Sequence, residues 1–302
     1  MRLATTTGDF SHVCKTEEAK VAELYAAGFR YIDMSFYDGD RSPLAHDDYL
    51  ERVKRLRYFA DGLEMKFVQA HSPSGNPLCT DSGLDDMLMY SIRSIEACAE
   101  LGIKNTVLHA GWRDDIGRDE YFSLNREFFS RLYPAMERFG VSVLVENSAK
   151  INMGGRYYLY DGEDMADFLD YCGHPLLGGC WDTGHANIEG HQYEDIMALG
   201  SHLKAIHFND NRGVYDEHIY PFCGTMSIDD IMHALIDSGY EGYFTLECSS
   251  NLRRSNSWLG HRRTSSRDDR LLNPPLELYR YQEKNLFKTA KYILEAYNLY
   301  EE

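Results

Sequence analysis

Residues that can bind a divalent metal ion stand at the ends of well-separated apolar runs. Glu146 follows VLV at 143–145, Asp182 and then His185 follow LLGGCW at 176–181, His207 follows LKAI at 203–206, and Glu247 follows YFTL at 243–246. Carboxylates and imidazoles are ligands for Mn²⁺, Mg²⁺, Co²⁺ and Zn²⁺. A carboxylate at the end of a buried strand is costly unless something neutralises it, and a metal ion does so. The pattern therefore predicts a divalent-metal site.

Histidines end two further apolar runs. His71 ends KFVQAH at 66–71 and His109 follows NTVL at 105–108, while Asp216 and His218 come shortly after His207. Each of these residues alone has a simpler interpretation, because a single histidine is usually a hydrogen-bonded core residue and a single aspartate is often a helix cap. Polar ligand types at the ends of six consecutive runs favour a shared site instead.

Eight candidate strands, rich in β-branched and aromatic residues, alternate with amphipathic segments that look helical. They are 2–7, 31–36, 66–71, 105–110, 142–147, 176–182, 203–208 and 243–248. This alternation predicts a single-domain (β/α)₈ TIM barrel over residues 1–302, with an extended loop after strand eight and a C-terminal helix at about 276–299. An open doubly wound sheet is the alternative, but no GxGxxG loop follows the first strand. In such a barrel the residues at the carboxyl ends of the strands face the active site.

Composition bears on partners and location. The chain has 302 residues and a formal net charge of −17, which disfavours general nucleic-acid binding. An Arg-rich stretch, 252–275, is the local exception, and a phosphate-bearing substrate, a lid, nucleic acid, a subunit contact or a plain surface loop would each explain it.

No apolar run approaches the roughly 20 residues that cross a bilayer, and no secretory leader is apparent. The seven cysteines include no CxxC pair, so we expect free thiols and a cytoplasmic protein.

The motifs resemble those of the xylose isomerase-like barrel superfamily. They are VENS at 145–148, WDTGHAN at 181–187, HFND at 207–210, DEHIYPFCGTMS at 216–227 and YFTLE at 243–247. This superfamily contains sugar and sugar-phosphate isomerases and epimerases, inosose dehydratases and AP endonucleases of the endonuclease IV type. The resemblance implies that one ion is bound by Glu146, Asp182, His207 and Glu247. It also implies that Glu146 and Glu247 shuttle protons and that His185 contacts the substrate.

The function expected from this resemblance is that of a metal-dependent sugar or sugar-phosphate isomerase or epimerase. A proton would be abstracted next to a carbonyl through a metal-stabilised enediolate, with Glu146 and Glu247 as the acid–base pair. The candidate substrate-binding residues are His185, His71, His109, Trp112, Arg212 and His218. The expected partner is a small sugar or polyol, with no membrane or nucleic acid. A homo-oligomer could form through the C-terminal helix or the Arg-rich stretch.

Three alternatives stay open. An AP endonuclease of the endonuclease IV type would use three zinc ions, and the chain offers a candidate for each ligand, with Asp216 and His218 completing the set. The acidic charge and the absence of evident basic and intercalating residues in the first two βα loops count against it. An inosose dehydratase-like lyase would use the same metal. A barrel that binds sugar without turning it over would not need both Glu146 and Glu247.

Overall fold

The computed structural model describes residues 1–37, 39–80, 83–248, 252 and 274–302. Its strands are β1 Leu3–Thr6, β2 Tyr31–Ser35, β3 Lys66–His71, β4 Asn105–His109, β5 Ser142–Glu146, β6 Leu177–Asp182, β7 Leu203–His207 and β8 Phe244–Leu246. They form one parallel sheet in the order β7-β6-β5-β4-β3-β2-β1-β8. A parallel bridge between Phe208 and Leu246 joins the two edges. The predicted eight-stranded TIM barrel is therefore confirmed.

Helices connect the strands. In the described ranges they are α1 Glu17–Ala27, α2 Tyr49–Gly62, α3 Gly83–Leu101, α4 Arg118–Ser130, α5 Tyr133–Phe139, α6 Gly162–Cys172, α7 Thr183–Glu189, α8 Gln192–Leu199, α9 Ile228–Asp237 and α10 Leu276–Ala296. Local capping sets several boundaries. The side chain of Thr16 accepts a hydrogen bond from the amide of Ala19 at the start of α1, and Ser227 does the same for Asp230 at the start of α9.

The strand boundaries agree with the sequence prediction to within two residues. The C-terminal helix is also present, although it ends at Ala296 rather than at 299. Residues 253–273, most of the Arg-rich stretch, lie outside the described residues, so the prediction for that stretch stays untested. In the part of the chain that the structure describes, no helix combines the length and apolar character needed to cross a bilayer.

A small apolar layer fills the barrel interior just below the strand ends. Its members are Val107, Leu144, Cys180 and Ala205, all of them buried. Because side chains alternate along a strand, each points to the same side as the residue two positions later. Those later residues are His109, Glu146, Asp182 and His207. The alternation that buries the apolar layer therefore also directs four of the candidate site residues towards the barrel mouth.

Candidate active site and metal centre

A cavity of about 420 Å³ opens at the carboxyl ends of the strands. The predicted site residues that line it are His71, His109, Trp112, Glu146, His185, His218 and Glu247. Asp182 and His207 are fully buried beneath them. The structure thus brings together residues from β3, β4, β5, β6 and β7, from α7, and from the loops that follow β4, β7 and β8.

The four residues expected to bind an ion converge at the floor of this cavity. One ligand atom from each of Glu146, Asp182, His207 and Glu247 lies within 4.8 Å of all the others. Ligand atoms on opposite sides of a single ion are separated by about twice a metal–ligand bond, roughly 4.2 Å. Three carboxylates and one imidazole form a donor set that suits a divalent cation. The cluster therefore fits one divalent ion.

Glu146 is the most constrained carboxylate of the cluster. Its Oε2 lies 3.0 Å from His71 Nε2 and 3.2 Å from His109 Nε2, and its Oε1 lies 2.8 Å from His207 Nδ1. Burial alone would raise the Glu146 pKa, but contacts with these three imidazoles outweigh it and hold the pKa well below its usual value. Glu146 is therefore an anion at neutral pH.

Two asparagines hold Asp182. The Asn209 side chain donates a hydrogen bond to Asp182 Oδ2 at 2.7 Å, and the Asp182 amide donates to Asn147 Oδ1 at 2.6 Å. Asp182 also caps α7, because its Oδ1 accepts from the His185 amide at 2.7 Å. Burial raises the pKa of Asp182 to about 6. These bonds fix the carboxylate of the DTGH motif before any ligand is bound.

A second chain of polar side chains lies along one wall of the cavity. Asp216 Oδ2 lies 3.1 Å from His185 Nε2, and Asp216 Oδ1 lies 2.9 Å from His218 Nε2. Asn152 also donates to Asp216 at 3.0 Å. Burial would lower the pKa of His218, but the Asp216 carboxylate outweighs it and raises that pKa to about 9. The same carboxylate, with Asp182, raises the His185 pKa well above its usual value against the effect of burial.

His109, whose ring centroid lies 5.9 Å from that of His185, differs from it in charge. Burial lowers the pKa of His109 to about 4, so its imidazole is neutral at pH 7. Besides the four-residue cluster, two further groups of imidazoles and carboxylates among the described residues have ligand atoms close enough to share an ion: His71 with His109 and Glu146, and Asp182 with His185 and His218. A group that includes a thiol, Glu146 with Cys180 and His207, is equally close. The geometry is thus compatible with more than one bound cation.

Arg212 does not reach the cavity. It is absent from the residues that line the cavity, and its guanidinium is hydrogen-bonded to Glu217. The backbone amide of Arg212 also donates to Glu217 Oε2 at 2.9 Å. Arg212 is thus paired with Glu217, and its predicted contact with the substrate stays a prediction.

Aromatic side chains form part of the cavity lining. Trp112 follows β4 and packs closely against the loop after β5. The approach is so close that a Cβ atom added to Gly154 would lie 2.9 Å from Trp112 Nε1. Tyr37 follows β2, also lines the cavity, and packs edge-on against His71 with ring centroids 4.6 Å apart. Sequence reasoning missed Tyr37, although its position two residues after β2 could have indicated it.

Sequence reasoning also missed the polar residues beneath the cluster. Asp33 lies inside β2 and is fully buried. Its Oδ2 is 3.3 Å from His207 Nε2. Gln69 Nε2 lies 2.8 Å from the same ring nitrogen. Gln69 stands two positions before His71, and the period of two along β3 could have identified it as inward-facing.

Relatives in sequence are distant or partial. The chain is 25% identical over 212 residues to an uncharacterized protein of Methanocaldococcus jannaschii, covering 67% of this chain and 71% of that protein. It is 27% identical over 176 residues to a probable endonuclease 4 of Geobacter sp., a match that covers 52% of this chain and 60% of that protein. A 60-residue stretch is 40% identical to fructoselysine 3-epimerase of Escherichia coli O157:H7, covering 18% and 22%. The chain therefore spans less than two thirds of the last two proteins.

Solved structures match over nearly the whole chain. A D-tagatose 3-epimerase-like protein superimposes with a TM-score of 0.73 and 19% identity, covering 99% of this chain and 98% of that chain. A D-psicose 3-epimerase solved in the presence of D-fructose has a TM-score of 0.75 and 16% identity, covering 97% and 99%. The IOLI protein, solved with a zinc atom, has a TM-score of 0.70 and 16% identity, covering 97% and 96%. At these identities the likeness establishes the fold.

The sequence match to a family is broader than any of the matches to single sequences. Residues 21–267 match the family described as xylose isomerase-like TIM barrel, and this stretch contains all four residues of the proposed ion site. The closed parallel barrel and the convergence of polar side chains at its mouth agree with that match. The chain is a member of the xylose isomerase-like TIM barrel family.

Proposed function

We propose that this protein is a divalent-metal-dependent sugar isomerase or epimerase. The observation that carries the proposal is the convergence of Glu146, Asp182, His207 and Glu247, whose ligand atoms lie within 4.8 Å of one another at the floor of a sugar-sized cavity. Sugar epimerases among the structural neighbours and the local match to fructoselysine 3-epimerase support it. A bound divalent ion would polarise the oxygens of the substrate as a Lewis acid.

The two glutamates would move the proton. Glu247 is the better base, since its side chain is 21% exposed to the cavity and its nearest imidazole contacts, at His207 and His218, are 3.5 and 3.6 Å long. Glu146 is 1% exposed and held by three imidazoles, so it would act from a fixed position. A proton taken from carbon by one carboxylate and returned by the other inverts that centre, whereas its return to the neighbouring carbon moves the carbonyl.

The cavity favours a neutral sugar or polyol over a phosphorylated one. Among the described residues that line it there is no lysine or arginine, while Glu146, Asp216 and Glu247 are acidic. A phosphate group would meet these carboxylates, and the cationic imidazoles of His185 and His218 are already paired with Asp216. Trp112 and Tyr37 offer apolar faces for the carbon–hydrogen side of a sugar ring, and His185 and His218 offer hydrogen bonds for its hydroxyl groups.

Solvent-exchange experiments test this function. The metal-loaded protein would be incubated in deuterated water with a panel of unphosphorylated ketoses, and products would be separated and analysed by NMR and mass spectrometry. We expect a new ketose epimer or an aldose that carries deuterium at the reacting carbon. The Glu247→Gln variant is the control and should give neither product nor label. Product formation without label would point to hydride transfer, and the absence of turnover across the panel would refute the assignment.

Hydrolysis of DNA at abasic sites is the second candidate. The specific observation in its favour is that His71, His109 and Glu146 form a second ligand group and Asp182, His185 and His218 a third. The 27% identity to a probable endonuclease 4 over 176 residues agrees with it. The same protein preparation would be given a duplex oligonucleotide with one abasic site. Cleavage by wild type that His109→Ala abolishes, together with a metal content near three ions per chain, would favour this candidate over the sugar enzyme.

A further inference from the structure

Asp33 is a buried carboxylate without a satisfactory hydrogen bond. It lies on β2 with no exposed surface, and neither of its oxygens has a hydrogen-bond partner in the described part of the chain. Its nearest ionisable contact is His207, with Oδ2 3.3 Å from Nε2. A buried carboxylate without a hydrogen bond destabilises the folded protein. We therefore expect Asp33 to have a function that explains its presence.

The position of Asp33 in the barrel makes its charge unusual. Val107, Leu144, Cys180 and Ala205 form the apolar interior layer beneath the site on β4 to β7. On the opposite side, Asp33 on β2 is paired in register with Gln69 on β3. Barrel interiors are normally filled with branched apolar residues. The two polar side chains thus replace apolar filling at the place where the His207 ring points inward.

The ring nitrogens of His207 have different surroundings. Nδ1 faces the metal cluster, 2.8 Å from Glu146 Oε1 and 3.5 Å from Glu247 Oε2. Nε2 faces Asp33 and Gln69. A neutral imidazole carries its one proton on either nitrogen, and only a nitrogen without a proton can bind an ion. His207 can therefore bind an ion through Nδ1 only when its proton is on Nε2, and a group that accepts a hydrogen bond from Nε2 favours that tautomer.

Gln69 bears on the same tautomer. Its side-chain nitrogen lies 2.8 Å from His207 Nε2, a contact that suits a ring nitrogen without a proton. If His207 carried its proton on Nε2, that N–H and the N–H of the Gln69 amide would be two donors facing each other. Because the two ends of an amide have the same shape, a half-turn of the Gln69 amide places Oε1 against the ring and lets it accept together with Asp33.

We propose that Asp33 is a positioning residue that accepts the Nε2 proton of His207 and thereby presents Nδ1 to the bound ion. The proposal rests on the metal site of the proposed function but not on the identity of the substrate. Asp33 stabilises the metal-binding tautomer and fixes the orientation of the ring. In the ion-free protein its charged contact is His207 Nε2, 3.3 Å away.

The test compares ion affinity with the stability of the ion-free protein. Mn²⁺ and Zn²⁺ would be titrated separately into chelator-treated wild type, Asp33→Leu and Asp33→Asn, and the thermal midpoint of each ion-free protein would be measured. We expect Asp33→Leu to bind 10- to 100-fold more weakly. Asp33→Asn keeps a hydrogen-bond acceptor but loses the charge, so its ion affinity should lie between those of wild type and Asp33→Leu. The ion-free midpoints of both variants should fall, because His207 loses the buried carboxylate that lies 3.3 Å from its Nε2.

Thr245→Val is the matched control. Thr245 lies two residues before Glu247 on β8, is fully buried, and its hydroxyl has no hydrogen-bond partner among the described residues. Its replacement should leave ion affinity within about twofold of wild type. The proposal is overturned if Asp33→Leu and Asp33→Asn keep wild-type affinity, or if Thr245→Val weakens binding equally. Because no sugar is used, failure to find a sugar substrate would count against the proposed function alone.

Discussion

Replacement of Glu247 by glutamine should lower turnover with little loss of stability, whereas the same replacement at Glu146 should lower both turnover and stability. Both side chains are expected to bind the ion and move the proton, so each change should lower turnover by about 10²- to 10⁴-fold. Their surroundings differ, however. Glu146 is 1% exposed and lies within 3.2 Å of three imidazoles, while Glu247 is 21% exposed and lies 3.5 Å or more from its imidazole neighbours.

The free energy of unfolding of the ion-free protein should reflect this difference. A charged group in a buried hydrogen bond contributes about 1.5–3 kcal/mol, and removal of one partner of a buried pair costs about 3–5 kcal/mol. Three imidazoles lose their anionic partner in Glu146→Gln, so we expect a loss of about 3–5 kcal/mol. Contacts of 3.5–3.6 Å are too long for good hydrogen bonds. Glu247→Gln should therefore cost less than about 1 kcal/mol.

Urea denaturation in the presence of a chelator measures both values, and steady-state kinetics with a confirmed sugar substrate gives turnover. The reasoning is refuted if the two variants lose equal stability, or if Glu247→Gln is the less stable one. Near-normal turnover in either variant would refute the two-carboxylate mechanism. Glu241→Gln, a change of the same kind outside the cavity, is the control and should leave both quantities close to wild type.

Three further predictions concern other parts of the molecule. Trp112→Ala should raise KM about 2- to 10-fold with kcat little changed, because an apolar wall of the cavity is lost; steady-state kinetics checks this. Gly184→Ala should weaken ion binding in calorimetry, since its Cβ would lie 1.9 Å from Asn209 Oδ1 and displace the amide that holds Asp182. Burial and the neighbouring Asp9 raise the pKa of Glu283 well above its usual value. A carboxyl group whose pKa is higher in the folded than in the unfolded protein favours the folded state at acid pH. As the pH rises from about 4.5 to the pKa of the folded state, the free energy of unfolding falls by about 1.4 kcal/mol per pH unit. Glu283→Gln should therefore raise the thermal midpoint at pH 8 and leave it nearly unchanged at pH 4; an opposite trend would contradict this.

The barrel was predictable because its pattern is local and repeated. Each strand is a short run of apolar and β-branched residues, and capping residues such as Thr16 and Ser227 are visible in the sequence. Parallel strands in a closed ring must bring their carboxyl ends to one face. The convergence of Glu146, Asp182 and His207 therefore followed from the fold class alone.

Other features depend on tertiary contacts that a sequence pattern does not contain. Arg212 is a predicted substrate contact, and the loop after β7 places Glu217 beside its guanidinium, which the sequence pattern did not indicate. Asp33 lies under His207 because of the register of β2 with β3. Loop conformation and strand register decided these two cases, and neither is set by the type of a single residue.

Anomalous scattering from crystals of the Mn²⁺-loaded protein tests the central claim most directly. We predict one strong peak at the floor of the cavity, within about 2.0–2.4 Å of one atom from each of Glu146, Asp182, His207 and Glu247. No peak bonded to these four side chains would contradict the single-ion site, and so would three comparable peaks that also involve His109 and His218.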